Sequence, residues 1–506
     1  MPGFFVENFG CRATQADGAA LERQFEERGL ARASNAKNAA VVILNTCTVT
    51  TGADQDARAT IRRVRRQNPE ARIVVTGCYA QRAPEEIAAL PGVDMVVGNS
   101  HKHKLAEIVG SSGLGMQWNL PREKAESPRP AFVPVTQLNG SAGSQEPEAG
   151  SPIFVSDIFA HTELLAAPVF DAANERTRPN LKIQDGCDNR CSFCVIPYVR
   201  GQSRSLDPER IVREVNTLVT SGYREVVISG INLGRWGRDL DLRRQTLDLS
   251  QVPPEDAGLR SEVQGPRAVF RKAGSRKPLL VELIQTILVE TGLEKLRISS
   301  VEPMDWSDEL ISLVASSPRI AKHAHVPMQS GSDAVLRRMH RKYRPWHYRE
   351  KIEKIRAAMP DASIGADVMV GFPGETDAEF EATRNMIEGL PFTYLHVFTY
   401  SARPGTPAAE MPNQVPVQVA RERNRILREL AAEKKLAFML SFVGKPVEAI
   451  TLNVIGSDQN GEFTEALTDN YLKLRLRGRH EANRWQAAIV ENVGSGSLIG
   501  PPCAGQ

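Results

Sequence analysis

Three cysteines in the run Cys187-Asp-Asn-Arg-Cys191-Ser-Phe-Cys194 have a CxxxCxxC spacing that can set three thiolates on three irons of a four-iron cluster. The fourth iron is then left without a protein ligand. Ligation by four cysteines makes a closed electron-transfer centre, whereas an open metal position can bind and activate a small molecule. A zinc knuckle and a chance group of buried thiols are the alternatives. Zinc sites usually pair CxxC with a second Cys or His pair nearby, and no such pair follows.

Three more cysteines stand where strands are expected to end. Residues 1–115 alternate short apolar runs with helical patterns: Phe4-Phe5-Val6, a helix from Ala16 to about Arg28, Val41-Val-Ile-Leu44, a basic helix through Arg58 to Arg66, and Ile73-Val-Val75. This alternation predicts a small open parallel sheet. Cys11, Cys47 and Cys78 follow its first three strands. Ligands of open α/β sheets collect at the carboxyl ends of strands, so the three could converge and hold a second cluster. Each taken singly is as readily an inert core thiol.

Between 179 and 412 a strand-then-helix pattern repeats about six times, with strands expected at 181–183, 225–229, 295–299, 323–327, 364–370 and 394–399. The prediction is a βα barrel, full or partial, with its chemistry at the strand C-termini. Four strand ends are polar or glycine-rich, beginning at Ser229, Ser299, Pro327 and Gly365, and together they favour a cofactor pocket. A charged helix follows over 413–441. From 442 to 506 short alternating strands predict a small antiparallel β-barrel of OB-like type. In it Tyr471 heads a strand carrying Lys473, Arg475 and Arg477 on one face, which suits a nucleic-acid backbone and equally an ordinary exposed strand. Residues 116–178, with the loop Asn139-Gly-Ser-Ala-Gly-Ser-Gln-Glu-Pro147, read as a linker from which Ile153-Phe-Val can dock. Residues 240–277 read as a surface insertion.

A chain of 506 residues is long enough for two to four domains. Its 63 Lys and Arg against 60 Asp and Glu give a net charge of +3, which on this length argues neither for nor against a nucleic-acid partner. The start, Met1-Pro-Gly-Phe-Phe, lacks the charged region and longer apolar stretch of a signal peptide, and no run of about 18 apolar residues occurs, so a soluble cytoplasmic protein with no membrane contact is expected. Seven cysteines, an odd number with a clustered trio, argue against a disulfide framework. Cys503, in a Pro-Pro-Cys-Ala-Gly-Gln tail, reads as an unstructured free thiol.

The cysteine run, with Phe193 before its last thiol and the strand-and-turn Leu181-Lys-Ile-Gln-Asp-Gly186 before its first, resembles the radical S-adenosylmethionine superfamily. The whole chain resembles that superfamily's methylthiotransferases. The motifs are Phe9-Gly-Cys11-Arg, Asn45-Thr-Cys47-Thr-Val-Thr, Val75-Thr-Gly-Cys78-Tyr-Ala-Gln, the CxxxCxxC run with Ile196-Pro and Arg200-Gly, Gly371-Phe-Pro-Gly-Glu-Thr and Tyr400-Ser-Ala-Arg-Pro-Gly-Thr. The resemblance implies an α/β chain with an N-terminal sheet domain, a radical-type partial barrel and a C-terminal TRAM domain. It implies two 4Fe-4S clusters, one on Cys11, Cys47 and Cys78 and one on Cys187, Cys191 and Cys194, each with an open iron. One S-adenosylmethionine would supply a methyl group and a second would be cleaved to a 5'-deoxyadenosyl radical. Phe193, Gly230, Glu302, Gln329 and Asp367 are the expected cofactor contacts, from strand-end position and resemblance; no catalytic residue is assigned.

Asn45-Thr-Cys-Thr-Val-Thr, Thr76-Gly-Cys-Tyr-Ala-Gln and Leu395-His-Val-Phe-Thr-Tyr-Ser-Ala-Arg resemble the branch acting on N6-threonylcarbamoyladenosine in the tRNA anticodon loop. Adenine C2 is reachable there because single-stranded loop bases unstack at modest cost. The implied partners are a tRNA anticodon stem-loop, a flavodoxin- or ferredoxin-like electron donor and a sulfur donor. The basic helix from Arg58 to Arg66 and the TRAM-like strand are candidate phosphate contacts. The alternatives are isopentenyladenosine in tRNA, an aspartate of a small-subunit ribosomal protein, and a noncatalytic iron–sulfur RNA-binding protein. Thr14 departs from the family, which commonly has Asn there, as do both long insertions.

Overall fold

The computed structural model describes residues 3–111, 152–161, 164, 168–169, 178–240, 279–458 and 461–503. The loop Asn139–Pro147 and nearly all of the second insertion lie outside the described residues. The chain divides into two compact units: residues 1–169, 185–189 and 194–202 form one, and residues 170–184, 190–193 and 203–506 form the other.

The first unit is built on parallel strands β1 (Gly3–Asn8), β2 (Ala31–Arg32), β3 (Val41–Thr46), β4 (Arg72–Gly77), β5 (Met95–Gly98) and β6 (Ile153–Phe154), in the spatial order β2-β1-β3-β4-β5-β6. The central strand β3, Val-Val-Ile-Leu-Asn-Thr, is buried throughout, as a parallel strand covered on both faces must be. Helices α1 (Arg12–Glu26), α2 (Thr51–Gln67), α3 (Cys78–Arg82), α4 (Pro84–Ala88) and α5 (Leu105–Ser111) connect the strands. The expected open parallel sheet is thus present. Two details differ. Helix α1 begins at Arg12, four residues before the expected Ala16, because Cys11 is already its extended N-cap and the polar Thr14 and Asp17 are buried on its inner face. The linker also contributes structure of its own, since β6 adds a sixth strand beside β5. The two-residue strand β7 (Pro168–Val169) lies against α1.

The second unit carries β8 (Asn180–Asp185), β9 (Arg204–Ser205), β10 (Glu225–Gly230), β11 (Lys295–Ile298), β12 (His323–His325), β13 (Ser363–Val370) and β14 (Tyr394–Thr399). Strands β8, β10 and β11 pair in parallel, as do β12, β13 and β14. Parallel bridges from Leu296 to Ile320 and from Ser300 to His325 join the two sets. Among the described residues β14 is not paired with β8, so the barrel is partial. Helix α6 (Ile196–Arg200) belongs to the first unit; between the strands of the second run α7 (Pro208–Thr220), α8 (Leu280–Glu290), α9 (Asp308–Ser316), α10 (Asp333–Arg338), α11 (Pro345–Ala358) and α12 (Asp377–Gly389). The Asp207-Pro208 start of α7 is legible locally: the Asp207 carboxylate accepts from the backbone N–H groups of Glu209 and Arg210, and Pro208 fits the first helical turn.

Helix α13 (Val417–Leu440) packs on β14 through Ala420, Leu427 and Ala431, while Arg425 pairs with Glu422 and Glu429 on its solvated face. The C-terminal strands β15 (Pro446–Asp458), β16 (Gly461–Thr468), β17 (Lys473–Arg477), β18 (Trp485–Ile489), β19 (Asn492–Gly494) and β20 (Ser497–Gly500) form one curled sheet in the order β18-β15-β16-β17-β20-β19. Its pairings are antiparallel except β17 with β20. Its inner face is lined by Val447, Ala449, Ala466, Leu474, Leu476 and Leu498.

Candidate metal centres and cofactor site

In the first unit, β3 ends one residue before Cys47 and β4 one residue before Cys78, and Cys11 caps α1 just after β1. Gly10 takes a φ of +94°, and a Cβ there would lie 2.7 Å from the Cβ of Cys47, so a glycine is required where the first and second cysteine segments approach. Cys47 is buried, and its thiol is pushed up to about 12 by that burial and by the neighbouring Cys78, with a smaller contribution from Cys11. Three thiols set at neighbouring strand ends suit a cation that binds them as thiolates, and soft thiolates suit iron–sulfur chemistry. The Asn99 amide lies 3.6 Å from the Cys78 sulfur as a donor and bonds the Val199 carbonyl at 2.7 Å. Thr14 stands 3.5 Å from the Cys11 sulfur through its hydroxyl.

Beside these thiols lies a buried ion network that the sequence does not advertise. Arg200, on α6, donates to both carboxylate oxygens of Asp185 at 2.9 and 3.0 Å and to Asp17 at 2.9 Å. Lys102 donates to Asp17 at 3.1 Å and to the Asn45 side chain at 3.0 Å. The Arg200 and Asp17 side chains are each 2% exposed and that of Lys102 is 4% exposed, so each ion depends on the others for its solvation. Burial works against the charge on Arg200, but Asp17 and Asp185 outweigh it and hold the guanidinium well above its ordinary value. Burial lowers Lys102, opposed by Asp17. Both cations act on Cys78, and Arg200 also on Cys11. The surroundings are therefore suited to the anionic charge of a thiolate-bound cluster.

Cys187, Cys191 and Cys194 occupy the loop between β8 and α6. The backbone N–H of Cys187 donates to the Gly201 carbonyl at 3.1 Å, so both ends of this loop are tied within the first unit, by that bond and by the Asp185–Arg200 pair. In the second unit, Arg341 has one guanidinium nitrogen 3.3 Å from the Cys191 sulfur and another bonded to the Glu302 carboxylate. Burial opposes the charge on Arg341, while Tyr343, Glu302 and Cys191 hold it well above its ordinary value. Arg341 lies in the irregular segment after α10, where neither period nor spacing marks it.

The remaining expected cofactor contacts fall on four segments of the second unit. Phe193 is half-buried against Val335, Met339 and Phe372, edge-on to the Phe372 ring at 6.5 Å. Gly230 ends β10 at a register shift against β8. Gln329 follows β12 with φ +62°, and its N–H and carbonyl bond the Asp367 carbonyl and the Met369 N–H, each at 2.8 Å. Asp367 is on β13, 3.3 Å from the His325 ring.

Two expectations about the C-terminal sheet require correction. Tyr471 does not head the basic strand: it sits at φ +72° in the turn before β17, with Arg297 5.2 Å from its ring centroid and the His323 ring tilted beside it at 4.9 Å. The buried Arg297–Glu225 pair offers a cation that an aromatic ring covers better than water can, which draws Tyr471 away from the strand face. On that face Lys473, Arg475 and Arg477 lie 3.9, 3.6 and 2.6 Å from Glu465, Asp458 and Glu491, so their charge is largely answered. Cys503 is not in a loose tail, because its N–H donates to the Ala487 carbonyl at 2.8 Å and Pro502 bridges to Ala488. On the basic helix α2, Arg58, Arg63 and Arg65 pair with Glu86, Glu7 and Asp94, while Arg62 and Arg66 are exposed.

A partial βα barrel with a CxxxCxxC loop after one of its strands defines a radical S-adenosylmethionine protein. Residues 181–387 match the radical SAM superfamily, and residues 3–98 match the uncharacterized protein family UPF0004. The chain is 34% identical over 472 residues to the threonylcarbamoyladenosine tRNA methylthiotransferase of Bacillus subtilis, covering 93% of this chain and 90% of that one. It is 34% identical to the enzyme of the same name from Aquifex aeolicus, covering 96% and 99%. It is 30% identical to the tRNA-2-methylthio-N(6)-dimethylallyladenosine synthase of Endomicrobium trichonymphae, covering 94% of each. The chain belongs to the radical SAM methylthiotransferase family. It is an enzyme whose cofactors are S-adenosylmethionine and 4Fe-4S clusters. Among the described residues no helix is long and apolar enough to cross a membrane.

Proposed function

We propose that this enzyme inserts a methylthio group at C2 of N6-threonylcarbamoyladenosine beside the anticodon of tRNA. The observation that carries the reading is the pair of three-thiol sets in one chain, the strand-end trio and the CxxxCxxC loop, in a protein whose relatives from Bacillus and Aquifex bear that activity in their names. Cys11, Cys47 and Cys78 would hold one cluster and Cys187, Cys191 and Cys194 the other. When bound, the two clusters would supply reductive cleavage of S-adenosylmethionine and sulfur for the product. Phe193, Gly230, Glu302 and Gln329 would bind the cofactor, with Arg341 orienting Glu302. Lys102 and Arg200 would balance thiolate charge. The flavodoxin- or ferredoxin-like reductant and the sulfur donor are part of the same proposal.

Mass spectrometry of tRNA nucleosides from a deletion strain, with and without the gene restored, tests this. Gene-dependent appearance of 2-methylthio-N6-threonylcarbamoyladenosine is expected. Appearance of the methylthio isopentenyl nucleoside instead would replace the reading with the second one, which the Endomicrobium relative favours. Cys194→Ala should abolish cofactor cleavage, whereas Cys47→Ala should retain cleavage and lose sulfur insertion; full product from both would remove the two-cluster scheme.

A further inference from the structure

Strands β12, β13 and β14 bring together a group of donors that the thiol chemistry does not use. Asp367 on β13 is the register partner of His396 on β14, and His325 on β12 is paired with Gly365, two residues before Asp367. Strand β13 alternates: Ile364, Ala366, Val368 and Val370 are fully buried on one face, while Asp367 and Met369 on the other are only partly buried. One donor atom from each of His325, Asp367 and His396 lies within 4.8 Å of the other two.

We propose that His325, Asp367 and His396 form a binding site for a divalent transition cation, separate from both cysteine sets. The His325 Nε2 is 3.3 Å from the Asp367 Oδ1, yet it is buried and has no hydrogen-bond partner of proper geometry. The pair is close enough to share an ion, and His396 brings a third donor within 4.8 Å of both. Bonds of about 2.0–2.2 Å to one tetrahedral ion put its ligands roughly 3.3–3.6 Å apart, which is the separation seen for this pair.

The donor set also fits the ion. Two imidazoles and one carboxylate match zinc and ferrous ions and leave one or more positions open for water or an oxygen donor. The rings are held from behind. Tyr394 lies nearly parallel to both His323 and His325, each at 5.9 Å and within 8°, and its hydroxyl is 2.7 Å from the His323 Nε2. A Cβ at Gly365 would fall 2.0 Å from the Tyr394 ring, so the glycine gives that ring its place. His396 meets His325 edge-on at 5.5 Å. Such outer contacts fix ring orientation at metal sites. Asp367 thereby serves the cation in place of the cofactor contact expected from its strand position.

The test is a zinc titration of the full-length, cluster-loaded protein under anaerobic conditions, by equilibrium dialysis with iron, sulfide and zinc measured together, followed by zinc-edge X-ray absorption. One equivalent of zinc beyond the cluster iron is expected, with nitrogen and oxygen scatterers at about 2.0–2.1 Å and no sulfur at about 2.3 Å. His396→Ala, on a partly exposed edge strand, and Asp367→Asn should each weaken binding at least tenfold with iron and sulfide unchanged. Absence of bound zinc, equal binding by wild type and both variants, or sulfur ligation would each overturn the proposal.

Discussion

The six thiols that fit the clusters stand out in the sequence because cysteine is rare and its spacing is local; the charged residues that accompany them do not. Asp17, Lys102 and Arg200 come from three distant segments and look like ordinary surface charge until folding buries them together. Removing one member of such a buried network strands the others, at about 3–5 kcal/mol. Asp17→Asn should accordingly lower the unfolding free energy by an amount of that order in denaturant titrations, while the exposed Arg62→Gln changes it by less than about 0.5 kcal/mol. Arg341 is a second case. Its bonds to Glu302 and its place beside the Cys191 sulfur predict that Arg341→Leu reduces cofactor cleavage about 10- to 100-fold, from a charge-assisted contact of about 1.5–3 kcal/mol. Arg341→Lys should recover part of it. Cleavage at wild-type rate in Arg341→Leu would remove Arg341 from the site.

Elements were legible where local chemistry and period agree. The strands β8, β10, β13 and β14 lie within a residue or two of expectation, and the start of α7 follows from its own Asp-Pro pair. Helix α1 begins ahead of its expected start because its first turn buries only Ala13 and the polar Thr14, which carry no apolar period. Tyr471 was read into a strand because alternation alone does not reveal that the residue before β17 has a cation to cover. A similar local device starts α12. Thr376 caps it and accepts from the Glu379 N–H, while the Glu379 carboxylate accepts from the Thr376 N–H and from Arg338 at 2.8 and 3.0 Å. Thr376→Ala should cost about 1 kcal/mol. Burial alone would raise the Glu379 pKa, but Arg338 and the Thr376 N–H outweigh it and hold it below the ordinary 4.5. A depressed carboxylate stabilises the fold above its unfolded value and loses that contribution as pH falls through the folded one. The difference in thermal midpoint between wild type and Glu379→Gln should therefore be full at pH 7 and shrink below about pH 4; a difference independent of pH would show that the carboxylate charge is not what matters.

At the scale of the whole molecule, charge is balanced in sum and in detail, with 63 basic against 60 acidic residues and the β17 basic face answered by acids. Replacing Lys473, Arg475 and Arg477 together should then change the salt dependence of RNA binding by much less than the roughly three phosphate contacts their number suggests. A drop in slope of about 2 or more, in binding assays across salt concentrations, would mean that RNA displaces those acids. The C-terminal sheet is a partner of the barrel. Asn470 donates to the Asp361 carbonyl at 2.9 Å, Arg297 is 3.4 Å from the Thr468 carbonyl, Lys295 pairs with Asp469 at 3.1 Å, and Tyr471 covers Arg297. These contacts come from a segment far along the sequence from the strands they meet. Until Tyr471 is in place, Arg297 and Glu225 stand uncovered by its ring, so a chain in which this segment is undocked carries an unsealed pair of charges that the folded one hides. Docking of the C-terminal sheet and sealing of the barrel's charged pair are therefore one event, and neither is complete without the other.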